Sequence, residues 1–167
     1  MGWVSLSLRK QTLKACIATE ELRLLQISRQ IRSAQREFSY EKSVFTRDKN
    51  FELAEAKTKY NNVRLDRPES DEYDLTDSDE KQEYDEAYNE WKLDYDNARI
   101  NYEDEKVRIN EYYDQIMNDL EQEAQDMQSQ LEDEQAQIEA QKQALQAELQ
   151  TVSEAIQQEI QNSAIKL

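Results

Sequence analysis

The side chains with the types and spacing for chemistry are carboxylates, phenols, one thiol and a row of guanidinium groups. Residues 66–80 hold Asp66, Glu69, Asp71, Glu72, Asp74, Asp77, Asp79 and Glu80. Clustered oxygens suit a hard cation such as calcium. A calcium loop needs Asp at alternate positions and a glycine at the sixth. Only Asp77 and Asp79 alternate, and no glycine is present, so the stretch reads as a solvated acidic turn. The aromatic set Tyr84, Tyr88, Trp91, Tyr95 and Tyr102 could stack bases or sugars. Its helical spacing points instead to a packing seam, and tyrosine suits a partly wet one because the ring buries while the hydroxyl stays hydrated. Arg23, Arg29, Arg32 and Arg36 could meet phosphates, but the chain carries a net charge of -16, and nucleic acid repels acidic chains. The expectation is salt bridging of these arginines to the acidic second half or to a neighbouring chain, with no nucleic-acid partner. Cys16 sits beside Ile17 and reads as a small buried hydrophobe. Parallel pairing of two chains would bring two copies within cross-linking reach.

Acid–base catalysis needs carboxyls of shifted pKa in a dry cleft. Carboxylate pairs occur all along this chain, so the proximity of two carries no information. The absence of histidine removes Ser-His-Asp and Cys-His nucleophiles, His-containing zinc sites and the Glu-x-x-His pairs of di-iron bundles. One cysteine allows no intrachain disulfide and no thiolate zinc cluster. Gly2 is the only glycine, which excludes glycine-rich phosphate loops. The expectation is a protein that is not an enzyme, with no catalytic residue, no cofactor and no metal.

The elements that hold these residues follow from composition and period. Of 167 residues, 35% are charged and 37% hydrophobic, with one proline. A globule of this length needs many tight turns and a wide apolar face; long helices with a narrow seam do not. Residues 1–63 read as one basic helix. Ile17, Leu24, Ile31, Phe38 and Phe45 recur every seven residues, and Leu6, Leu13, Ile27 and Ala34 fill the companion row with Glu20 as its misfit. Leu53, Ala56, Tyr60 and Val63 continue at spacings of three and four. Residues 64–77 break the pattern, since Pro68 disfavours helix at Arg67. Thr76, Asp77 or Ser78 can cap a second helix over 78–167. There Tyr88, Tyr95, Tyr102, Ile109 and Ile116 form one row, and Tyr84, Trp91, Ala98 and Tyr112 the other, with Glu105 as misfit. Beyond 116 two periods compete: Ile116, Met127, Ile138, Leu149 and Ile160 every eleven residues, Ala124, Leu131, Ile138, Leu145 and Val152 every seven. Such mixing marks stutters that locally straighten a supercoil. The fold expected is all-α, an extended antiparallel coiled-coil hairpin with unequal arms.

Residues 1–64 carry 13 Lys or Arg against 7 Asp or Glu, and residues 65–167 carry 8 against 30. A basic helix along an acidic one is electrostatically matched, each exposed pair contributing about 0.2–1 kcal/mol. If the first helix folds back onto 78–138, the Gln- and Ala-rich end, about 139–167, projects or pairs with other chains. Its stripe of Leu145, Leu149, Val152, Ile156, Ile160 and Leu167, with Trp3 and Leu6 at the other chain end, is then the expected interaction surface.

The function expected is a structural subunit that self-associates through helical packing into a filament, sheath or multimeric scaffold. The alternatives are an adaptor or chaperone in a larger machine that binds a protein of basic surface, or a virion component. The plan is similar in outline to the small coiled-coil hairpin stalk proteins of flagellar and type III export systems, a likeness of architecture and not of motif. A membrane-surface coiled coil using the Trp3 tip is a third class, and membrane contact is not expected. The first ten residues lack a charged region before their short apolar stretch, so no Sec-type signal is expected. No apolar run approaches the roughly 20 residues of a membrane span. Localisation is left open.

Overall fold

The computed structural model describes residues 2–164. It holds two α-helices, α1 (Trp3–Leu65) and α2 (Ser78–Ala164), joined through a single 3-10 turn at Ser70–Glu72. Among the described residues there is no strand. The chain is an all-α hairpin of two antiparallel helices with arms of 63 and 87 residues. Neither helix interior contains glycine or proline, so nothing in the sequence stops either one early. The first stop comes where Pro68 restricts Arg67. The connection is then shaped by short polar side chains. The Thr76 amide and hydroxyl both donate to Asp74 Oδ1, at 3.0 and 2.6 Å. Asp77 caps α2, its Oδ1 accepting from the amides of Asp79 at 2.8 Å and Glu80 at 3.3 Å, and Glu80 reaches back to the Asp74 amide. No residue of the turn needs a positive φ, which is how a connection without glycine is possible.

The chain divides into two compact units, Met1–Phe38 with Gln122–Leu167, and Ser39–Glu121. In the first, Leu13, Ile27, Ile138 and Val152 are buried. The other expected seam positions Leu6, Ile17, Leu24, Ile31, Ala34 and Phe38 lie half-buried beside them. Arg9 holds Glu148 through two N–H groups, and Lys142 Nζ lies 3.0 Å from Glu21 Oε1. As the α1 number rises from 9 to 21 its α2 partner falls from 148 to 142, which sets the antiparallel direction.

These pairings correct the projecting end. Residues 139–156 are not left over: they cover the N-terminal part of α1. The expectation counted pairing from the first residue of α2. In the second unit the end of α1 meets α2 at Trp91, whose indole N–H donates to the Val63 carbonyl at 2.8 Å. The turns of α2 before it are packed by the connection, with Tyr73 against Tyr84 at 5.4 Å between ring centroids. That offset hands the later residues of α2 to the start of α1. The seven-residue row wins over the eleven-residue one in this region: Leu131, Ile138, Leu145 and Val152 face inward, whereas Met127 and Ile160 are exposed at 50% and 58%.

The second unit is bound by Lys42–Glu121 at 2.9 Å and Lys49–Asp114 at 2.8 Å. Its best-buried layer is Ala56, Ile109 and Tyr113, with Phe45, Leu53 and Tyr102 packed against it. Inward positions step by four in succession on both helices here, through 48, 52, 56 and 60 on α1 and 105, 109 and 113 on α2. The two stutters meet, and the small Ala56 leaves room for the Tyr113 ring between them. The extra step also moves the seam off Tyr112, which was expected inside but is 58% exposed while Tyr113 is 6% exposed.

Two outcomes follow. Deleting residues 139–167 strips Leu13, Ile17 and Glu20 of cover. Hydrogen exchange should show amides of residues 3–24 losing protection while those of 41–63 keep theirs; unchanged protection in both segments would contradict this pairing. Glu20 is 9% exposed in the seam, with Arg23 Nη1 at 3.2 Å from its Oε1 and 3.3 Å from its Oε2. Replacing it by leucine should stabilise the chain by about 1–2 kcal/mol, because a buried charge gives way to packed methyls; thermal melts read the sign.

Candidate functional site

The residues expected to form an interaction surface fall into three groups. Leu6, Leu145, Leu149 and Ile156 are half-buried and Val152 is buried, all in the first unit and all committed to the seam within the chain. Trp3 and Ile160 are exposed at 59% and 58%. Leu167 lies outside the described residues. The stripe on the later part of α2 is therefore occupied by α1, and the free apolar surface is elsewhere.

It lies on the outer side of α1. Val4, Leu8, Leu22 and Leu25 are exposed at 66%, 66%, 63% and 45%, and Ala15 and Ala18 are exposed between them. Leu8, Ala15 and Leu22 recur every seven residues; Val4, Gln11, Ala18 and Leu25 form the companion row. At about 103° per residue in a supercoiled helix, these two rows lie opposite the inward rows of Leu13 and Ile17. The pattern was legible in the sequence as a second heptad on the same helix. It was missed because the first seam already accounted for the helix.

Several expected charge and thiol roles also change. Arg23 pairs with Glu20 of its own helix, and the Arg32 and Arg36 Nε groups donate to the carbonyls of Ser28 and Arg32 one turn back, at 3.1 and 3.2 Å. Among the described residues the inter-helix ion pairs come instead from Arg9, Lys42, Lys49 and Lys142. Cys16 is exposed, not buried, because one residue of helix turns it about 100° away from Ile17.

In the second unit the aromatic row packs on itself. Tyr60 stacks on Tyr102 at 5.3 Å and lies tilted against Tyr95 at 5.8 Å, and Trp91 stacks on Tyr95 at 5.2 Å. Arg67 of the connection lies 5.5 Å from the Tyr88 ring centroid and 5.7 Å from that of Trp91. The Tyr60 and Tyr95 hydroxyls are 2.9 Å apart, and this hydrogen bond raises the Tyr60 pKa. In the acidic connection, the hydrogen bonds from Thr76 hold the Asp74 carboxyl below its ordinary range. Its oxygens and those of Asp77 serve the backbone of the turn. Among the described residues no three His, Cys, Asp or Glu side chains are grouped to hold a metal ion, and no helix is long and apolar enough to cross a membrane. An open groove beside Tyr113 is lined by Asp48, Phe51, Glu52, Glu55, Lys59 and Glu105, four carboxylates and one ammonium around the exposed Phe51 ring.

Tyr113 donates to Glu52 Oε1 at 2.8 Å, and this bond to a carboxylate, with burial, pushes its pKa up to about 12. The neutral phenol is the form that the fold favours. Its contribution to stability is complete below the ordinary phenol pKa near 10 and is lost as pH rises through about 12. An alkaline absorbance titration should show a tyrosine that ionises at about pH 12 and is absent in Tyr113→Phe. The variant should also lose the part of the wild type's alkaline destabilisation that falls between those two pH values.

Comparison of the chain with protein-family models, with curated proteins and with solved structures finds no match to any of them.

Proposed function

We propose that this chain is a structural coiled-coil subunit that associates with further copies of itself. The observation that carries the reading is the second heptad seam on α1, which the hairpin leaves uncovered after its own seam is closed. Exposed apolar rows at heptad spacing are the ordinary means by which helices find helical partners. They take over the part that the stripe over 139–167 was expected to play. A filament, sheath or larger scaffold also needs a second face. Leu93, Ile100 and Val107 on α2 offer one, each seven residues from the next and exposed at 64%, 54% and 53%.

That α2 row also supports a second reading. Its neighbours three and four residues away include Glu90, Asp96, Glu103, Asp104 and Glu111, of which Asp96 and Glu103 already pair with Arg99 and Lys106, so a partner presenting an apolar strip with basic side chains toward Glu90, Asp104 and Glu111 would fit it. In that case the chain is an adaptor in a larger assembly.

Light scattering on a sizing column separates the two. Self-association predicts a mass that rises with loading concentration and persists at about 0.5 M salt, where the Debye length falls to a few Å, because the glue is apolar. A monomer at every concentration and both salt levels would overturn the structural-subunit reading and leave the adaptor.

A further inference from the structure

The self-association proposed above leaves open how two copies meet; resting on that reading, we propose that the outer seam of α1 pairs antiparallel with the same seam of a second copy, about a two-fold axis between Cys16 and Ile17.

The argument starts from what the face lacks. Its core and flanking positions over residues 4–28 are Val4, Leu8, Gln11, Ala15, Ala18, Leu22 and Leu25, bordered by serine, threonine, glutamine and only two charges, Lys14 and Glu21. The chain as a whole is 35% charged. The same two rows pass to Arg29 and Arg32 directly afterwards, which ends the apolar run. The flanks are also prepared for cover. Thr12 and Thr19 each donate their hydroxyl to the carbonyl one turn back, at 3.1 and 3.0 Å, so a partner helix can exclude water without orphaning those donors.

The occupant follows from the order of the residues. A two-fold interface must be self-complementary: whatever residue i meets, its copy must meet i. In an antiparallel pair the core layers join positions of constant sum. About an axis between Cys16 and Ile17, Leu8 faces Leu25 of the second copy and Ala15 faces Ala18, and the reciprocal layers repeat this. Two small-residue layers then sit at the centre, allowing close approach, with a Leu8–Leu25 layer two steps out on either side and Val4 meeting Arg29 at each end. Gln11 falls opposite Leu22. In the same register the flanking row brings Lys14 beside Glu21 of the second copy, twice. Glu21 already binds Lys142 of its own chain through Oε1, and its other oxygen can take Lys14. A parallel pair would set Lys14 across from threonine and gain no charge match. Each α1 would lie between its own α2 on one side and the second α1 on the other.

The test uses the full chain. Leu22→Glu should weaken association in sedimentation equilibrium by at least tenfold, with circular dichroism and Trp91 emission unchanged, since Leu22 is 63% exposed. Lys14→Glu supplies a milder variant that does not touch the hairpin seam: it should weaken association several-fold, and Glu21→Lys added to it should recover most of the loss. Orientation is read by oxidation in a Cys16→Ser background. Chains with Ser5→Cys and chains with Gln26→Cys should form a disulfide only when mixed. Association that ignores Leu22→Glu and Lys14→Glu would overturn the face while leaving self-association standing. Association that responds to them but gives no mixed disulfide would overturn the antiparallel register. A wild-type monomer at all concentrations would remove both this proposal and the reading it rests on.

Discussion

A helix of sixty or more residues with a narrow apolar stripe holds its shape only while that stripe is covered. Everything in this protein depends on that requirement. Neither helix has an interior glycine or proline at which to end, so each must find a partner along its whole length. The single break near Pro68 makes the other helix the nearest one available. Once the chain turns there, seam, register and ion pairs follow from matching one stripe to the other. Charge supports the match more than it creates it. Of the four inter-helix ion pairs among the described residues, three set a base of α1 against an acid of α2, and each has at least one partner well exposed to water, so each contributes about 1 kcal/mol or less.

The fold was largely readable from period and punctuation. The row from Ile17 to Phe45 faces inward as expected, and the capping residue is one of the three proposed. What the sequence did not yield was the offset between the helices. Residue counting treats a connection as length alone. Here the connection has side chains that pack, Tyr73 on Tyr84 and Arg67 beside Tyr88 and Trp91, and they occupy the first turns of α2. A shift of a few turns at that end changed the fate of Val152 at the other, from free surface to seam. Tyr113 was missed for a related reason. Period seven carries Tyr112 inward, and only a local step of four on both helices brings Tyr113 there instead.

The candidate surface was less legible than the fold, although its residues are as regular. A helix with one strong seam invites the assumption that its other side is solvated. On α1 the opposite side keeps leucine, valine and alanine at heptad spacing over three heptads. Those residues lie outside the seam that closes the hairpin, and it is this regular apolar face without an internal partner that motivates the self-association proposed above.

The aromatic layer nearest the turn bears on how the chain acquires its structure. Val63 and Trp91 are 28 residues apart in sequence, whereas Arg9 and Glu148 are 139 apart. Closing the longer loop first costs roughly 1.4 kcal/mol more in chain entropy than closing the shorter one. The bulkiest rings sit where closure is least costly, and contacts of growing separation then need only one more turn of helix at a time. The hairpin is arranged to zip from its tyrosine-rich end, so a nascent chain can begin to fold long before Glu148 exists to meet Arg9.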